Sequence, residues 1–222
     1  AQLVGHRAEG NVPQGRVDLQ TDRGQTARQS IGPHLHLDQV ERFDDQGPAG
    51  LARRRKLALL HETLEPLTGK TKASVRDLQR QFMTECVEPM LLDKAFALID
   101  HHRVAGDQLL LMTATHSVVA EPVAARLGFQ HWLGSAVGVI DGCYTGKPEG
   151  LPCFQSGKVA HLAAWRNRHT NASGNEDTWF YSDSHNDLPL LSEVGHPVAV
   201  DPDPVLAEHA ERQGWTVLSL RP

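Results

Sequence analysis

The densest polar stretch in the chain is Tyr181-Ser182-Asp183-Ser184-His185-Asn186-Asp187, which sets two carboxylates four residues apart in one tight turn after an apolar run. Carboxylates so placed repel each other unless a cation, a lysine or a proton compensates, and a hard oxygen-seeking ion such as Mg²⁺ is a natural compensator. An Asx turn with Asp187 as a helix cap accounts for one acid but not for Asp183, Asn186 and Asp187 together. Two further spots carry chemistry. Thr113-Ala114-Thr115 follows the run QLLLM at 108–112 and offers a hydroxyl and backbone amides at a helix start, an arrangement suited to an anion such as phosphate, although Thr also caps helices for structural reasons. Lys158 opens a helix directly after Gly157, where the helix dipole disfavours a cation. Either an anion holds it there or it is a solvated surface lysine.

The elements that must position these residues are regular beyond residue 57. The spacing of Leu78, Phe82 and Cys86 predicts a helix over 75–88 capped by Ser74 and ended by Pro89; a second helix covers 91–102, closed by Gly106. Residues 108–112 read as a strand, 117–127 as a helix and 129–133 as a weaker strand. Asp141-Gly142 predicts a two-residue hairpin between 137–140 and 143–146. Residues 157–168 read as helix, 178–182 (TWFYS) as an aromatic strand and 187–194 as helix. Residues 197–200 form a further strand, Asp203-Pro204 starts a helix, and 215–220 supplies a last strand. Alternating strands and helices predict an α/β fold, a Rossmann-like three-layer, mostly parallel sheet whose ligands bind beyond the carboxyl ends of the strands.

Composition narrows the function classes. The chain has 222 residues, 40% hydrophobic and 22% charged, with a formal net charge of −5. That suits a chain with a sizeable core and no global basic field for nucleic acid. No run approaches the length of a membrane span, and three cysteines at unrelated spacings suggest reduced thiols, so the expected location is cytoplasmic, with no nucleic-acid or membrane partner. Oligomeric state is not legible. Gly69-Lys70-Thr71 lacks the earlier glycine and strand of a phosphate-binding P-loop. His101, His102 and His185 read as surface residues, Arg53 to Lys56 as a solvated basic run, and the four tryptophans as packing.

In order and spacing, the segments LLLMTAT, GKV and YSDSHNDLPLL resemble motifs two, three and four of the haloacid dehalogenase superfamily, in the branch of phosphoserine phosphatases. The resemblance covers 63 to the last residue and implies a Mg²⁺-dependent phosphomonoester hydrolase acting on a small phosphorylated metabolite. It implies that Thr113 and the Ala114 amide hold the transferring phosphoryl group, that Lys158 is catalytic in balancing charge, that Asp183 and Asp187 serve the metal, and that Asn186 supports the phosphate shell. It also implies that 61–90 is the remainder of a helical cap inserted into a core formed by 91–222.

The family's first motif, an apolar strand ending in Asp-x-Asp-x-Thr, supplies the nucleophile and the general acid–base, and it is not found. Residues 17–21 have one carboxylate and Asp44-Asp45 lacks the threonine; the nucleophile therefore stays unassigned. Residues 1–56 hold one aromatic residue, Phe43, and 7 of the 13 glutamines, with weak strand candidates at 15–22 and 34–40. His34, His36 and Asp38 look like chance polar clustering. The segment 1–60 is left unassigned, either disordered or the product of a shifted reading frame, and a non-catalytic relic with a phosphate and metal half-site is the alternative to an enzyme.

Overall fold

The structure, a computed structural model, describes residues 2–6, 64–169 and 174–221. The expected strands at 15–22 and 34–40, the basic run at 53–56 and the fragments around Asp18, His34 and Asp44 lie outside the described residues. Seven strands form one mixed sheet: β1 (Gln2–His6), β2 (Gln108–His116), β3 (His131–Ile140), β4 (Cys143–Glu149), β5 (Thr178–Ser182), β6 (His196–Val200) and β7 (Thr216–Leu218), in the spatial order β4-β3-β2-β1-β5-β6-β7. The pairs β2–β3, β5–β6 and β6–β7 are parallel, whereas β1 is antiparallel to both β2 and β5. β2, β3, β5, β6 and β7 therefore run the same way, and β1 and β4 run against them.

β1 is the element that sequence reading missed. The segment QLVGH is short, and glycine and histidine break its apolar run, but Val4 is fully buried and the backbone pairs on both sides, from Gln2 against Met112 to His6 against Gln108 and Thr178. A central sheet position satisfies every backbone group of a strand, which favours filling the slot even with a weak strand former. Gly5 is needed there because a Cβ would stand 2.9 Å from the His102 ring.

The helices are α1 (Lys72–Phe82), α2 (Asp93–Ala105), α3 (Ser117–Arg126), α4 (Ser156–Arg168), α5 (Leu188–Leu191) and α6 (Pro204–Gln213). The expected helix over 75–88 begins earlier: Thr71, not Ser74, is its cap, accepting from the Ser74 amide, and after Phe82 it widens into a π turn over Met83–Val87. Gly106 closes α2 in the left-handed conformation, and the Asp141-Gly142 turn has φ of 50° and 77°, as a primed hairpin turn requires. Neighbouring residues of each strand serve opposite faces: Leu110, Met112 and Phe180 pack with Leu162, Trp165, Leu190 and Leu206, and Leu109, Leu111 and Tyr181 pack with Ile99, Ala124 and Phe129. A third cluster joins α1 and the π turn to Val118, Val119 and Tyr144.

His101 is exposed as expected, but His102 is buried. Its Nδ1 lies 2.7 Å from Asp107 Oδ2 and its Nε2 2.7 Å from the Tyr181 hydroxyl, so the neutral ring donates to the carboxylate and accepts from the phenol. Burial pushes the His102 imidazole below its ordinary value against the raising influence of Asp107. The unfolded chain binds this proton more readily, so stability is lost as pH falls through about 6.5 towards the lower folded-state value. We expect the urea midpoint of the wild type to fall between pH 7.5 and 5.5, and that of His102→Gln to fall less. Val4→Ala should lower stability by about 1–3 kcal/mol in the same assay if β1 holds the centre of the sheet.

Candidate active site

β2 and β5 flank β1 and point the same way, so the ends of their apolar runs bring Thr113 and Asp183 to one rim. Thr113 is buried and its Oγ1 accepts from the Thr115 amide at 3.1 Å. The sequence placed Thr113 at a helix start with available amides. The structure instead continues β2 to His116, with a register shift after Met112, and α3 begins only at Ser117.

Lys158 is 2% exposed in its side chain and donates to Asp187 Oδ1 at 2.6 Å; Asp187 is 1% exposed and accepts the Ser182 hydroxyl on Oδ2, also at 2.6 Å. The anion expected beside Lys158 is thus the turn's second carboxylate. The glycine before it is steric: a Cβ on Gly157 would meet the Pro152 carbonyl at 2.1 Å. Gln155, which precedes α4, adopts φ 47° and ψ −125° and donates from its side chain to Asn186 Oδ1 at 3.1 Å. A non-glycine residue in that region stores strain, a feature that clusters at functional sites.

Cys153 connects Thr113 to the ion pair. It is fully buried, its Sγ faces the Thr113 amide and the Leu133 carbonyl, and burial pushes its thiol up against the lowering influence of Lys158. The Ser135 hydroxyl accepts from the Cys153 amide at 3.1 Å and donates to the Ala114 carbonyl at 2.8 Å, tying the Thr113 loop to the α4 entry. The structure therefore gathers Thr113, Lys158, Asp187 and Asp183 at one rim, with Asp183 partly exposed and Asn186 beside it. Sequence reading missed Ser135, Cys153 and Ser182 because each is a single small polar residue whose role exists only through its neighbours in space.

β1 bears on the missing nucleophile. A parallel strand in that slot would carry the residues after it to the rim, whereas β1 brings Gln2 beside Met112 and leaves the sheet at the far end. It contains no carboxylate.

The sequence matches the family model of haloacid dehalogenase-like hydrolases over residues 21–192. The chain belongs to that family. A histidinol-phosphatase of Neisseria meningitidis is 36% identical over 166 residues, 74% of this chain and 75% of that protein. A phosphoserine phosphatase of Mycobacterium tuberculosis is 32% identical over 178 residues, 80% of this chain but 55% of that protein, so the chain spans about half the length of its mycobacterial relative. Among solved structures, a Bordetella pertussis protein of unknown function superposes with a TM-score of 0.69 at 32% identity, covering 82% of this chain and 88% of that one. A phosphoserine phosphatase in a phospho-aspartyl intermediate analogue form reaches 0.52 at 16% identity, covering 83% and 80%, and shares the fold.

The family is generally Mg²⁺-dependent. Among the described residues no group of three His, Cys, Asp or Glu side chains able to hold a metal occurs. Mg²⁺ takes one or two carboxylates with waters and substrate phosphate, and of the turn's two carboxylates Asp187 has both oxygens engaged by Lys158 and Ser182 while Asp183 is partly exposed. Removing one partner of so deeply buried a pair leaves an unbalanced charge: Lys158→Met should cost about 3–5 kcal/mol in urea unfolding, and Lys158→Met/Asp187→Leu should recover most of it.

Proposed function

We propose that this member of the haloacid dehalogenase-like hydrolases is a phosphomonoester hydrolase of a small phosphorylated metabolite. The observation that carries the reading is the buried Lys158–Asp187 pair at the rim that also presents Thr113 and Asp183. In this reading the Thr113 hydroxyl and the Ala114 amide orient the transferring group, and Lys158, held by Asp187, offsets its negative charge. Asn186 lines the phosphate side, and Asp183 is the carboxylate the described residues contribute to a divalent cation. Fixed donors aimed at a phosphoryl group in a site shielded from water are what such a transfer needs, since the protein's part is positioning and charge stabilisation. In this reading 61–90 is the remainder of a cap and 91–222 the core, whose sheet also takes in β1 from the otherwise unassigned stretch 1–60. Both named relatives are phosphatases, one for histidinol phosphate by its name and one for phosphoserine, and they support the reaction class while leaving the ester open. Among the described residues no helix is long and apolar enough to cross a membrane.

A second reading is favoured by β1: a central strand that runs against its neighbours and carries no carboxylate fits a phosphate-binding protein of this fold without turnover. Release of nitrophenol from p-nitrophenyl phosphate separates the two. The hydrolase reading predicts turnover that EDTA removes and Mg²⁺ restores, with Asp183→Asn losing the Mg²⁺ stimulation and Thr113→Ala slowing turnover by about 100-fold. A folded sample with no turnover at any Mg²⁺ concentration would favour the second reading.

A further inference from the structure

Asp203 lies between β6 and α6, outside the three motifs, yet it binds the turn that carries Asp183 and Asp187. Its amide donates to the Asp183 carbonyl at 2.8 Å. Its Oδ1 caps α6, accepting from the Val205 and Leu206 amides at 3.0 and 2.9 Å. Its Oδ2 accepts from the His185 amide at 2.7 Å and from His185 Nδ1 at 2.8 Å. A helix cap needs a single side-chain oxygen, which Asn or Ser supplies about as well as Asp. The second oxygen has a different employment, and both its donors belong to the residue midway between Asp183 and Asp187. Although burial pushes the Asp203 carboxyl up, the Leu206 and His185 amides and the His185 ring outweigh it and hold the group below its ordinary value, so it is ionised at neutral pH and its hydrogen bonds are charge-assisted.

We propose that Asp203 is a positioning residue for the candidate active site, a latch whose Oδ2 fixes the Asp183–Asp187 turn against the start of α6. Other anchors hold the ends of the turn: the Asp203 amide takes the Asp183 carbonyl, Lys158 and Ser182 hold Asp187, and Asn186 reaches Gln155, whereas Oδ2 holds its middle residue, His185. With Oδ2 lost, Asp183 and the Asp187 end of the ion pair shift relative to Thr113, and the stabilisation they offer a phosphoryl group weakens. The catalytic consequence rests on the hydrolase reading, whereas the latch itself does not.

Asp203→Asn tests it, because an amide has one acceptor oxygen where the carboxylate has two, and helix capping claims that one. Amide hydrogen exchange by NMR, the melting temperature, and kcat and KM for p-nitrophenyl phosphate are measured on the full chain. The expected result is exchange at the His185 amide faster by at least about tenfold, with Leu206 exchange and the melting temperature near wild type. In turnover, kcat falls by at least about tenfold while KM changes little. Faster His185 exchange with unchanged kcat in an active protein overturns the positioning role, and unchanged His185 exchange overturns the latch. A wild type without turnover overturns the hydrolase reading instead, and the exchange result then decides the latch alone. Asp203→Ser, which also retains a capping oxygen and removes Oδ2, decides the question if the Asn variant does not fold.

Discussion

The candidate active site depends on one interaction, the ion pair of Lys158 and Asp187. An ammonium and a carboxylate withdrawn from water each carry a desolvation penalty of several kcal/mol that their attraction repays only with close geometry and further hydrogen bonds. The structure supplies both. Nζ and Oδ1 are in contact, the other Asp187 oxygen takes the Ser182 hydroxyl, and the glycine at 157 lets α4 start close enough to the preceding loop for the lysine to reach. Such a pair is poor evidence of stability in its own right. In the proposed function it is a charge kept in readiness, since a lysine already stripped of water and held in one geometry reorganises little when a dianion arrives.

That pair also explains the arrangement of its surroundings. Cys153, Ser135 and Ser182 are small, buried or half-buried polar groups; the first two bridge two segments of the rim, and Ser182 holds Asp187 within its own turn. None is large enough to be read as functional on its own. With the Lys158–Asp187 pair they connect the β2 end, the α4 entry and the turn after β5, so that three segments from distant parts of the sequence share one surface. The same loops hold the strained Gln155, which is tolerated because its neighbours on both sides are fixed.

How much of this could be read beforehand follows physical lines. β2, α3, the Asp141-Gly142 hairpin, β5, β6 and α6 were legible because apolar runs and turn residues are local signals. The cap of α1 was misplaced by three residues because Thr71 and Ser74 are both capping residues and only geometry chooses between them. β1 was missed because its strand character comes from the slot it fills rather than from its own residues, a case of tertiary context overriding propensity. Thr113, Lys158 and Asp183 stand out in the sequence as polar residues at strand ends and a helix start, and that Thr113 and Asp183 lie at one rim follows from β2 and β5 running the same way. His102 reads as a surface residue because His101 and His102 look alike in sequence; the Asp107 and Tyr181 partners, one of them far along the chain, account for its burial.

Among the described strands, β1 is the one hydrogen-bonded link between the β4-β3-β2 half of the sheet and the β5-β6-β7 half. Its partners, Met112 on one side and Phe180 on the other, lie far away in sequence, and bringing them together carries a large loop-closure entropy. Each half can gather around its own hairpin or parallel pair early, but the two cannot merge until a five-residue strand from near the start of the sequence is threaded between them. Long-range pairing of this kind slows folding, so the centre of the sheet is expected to close after its edges.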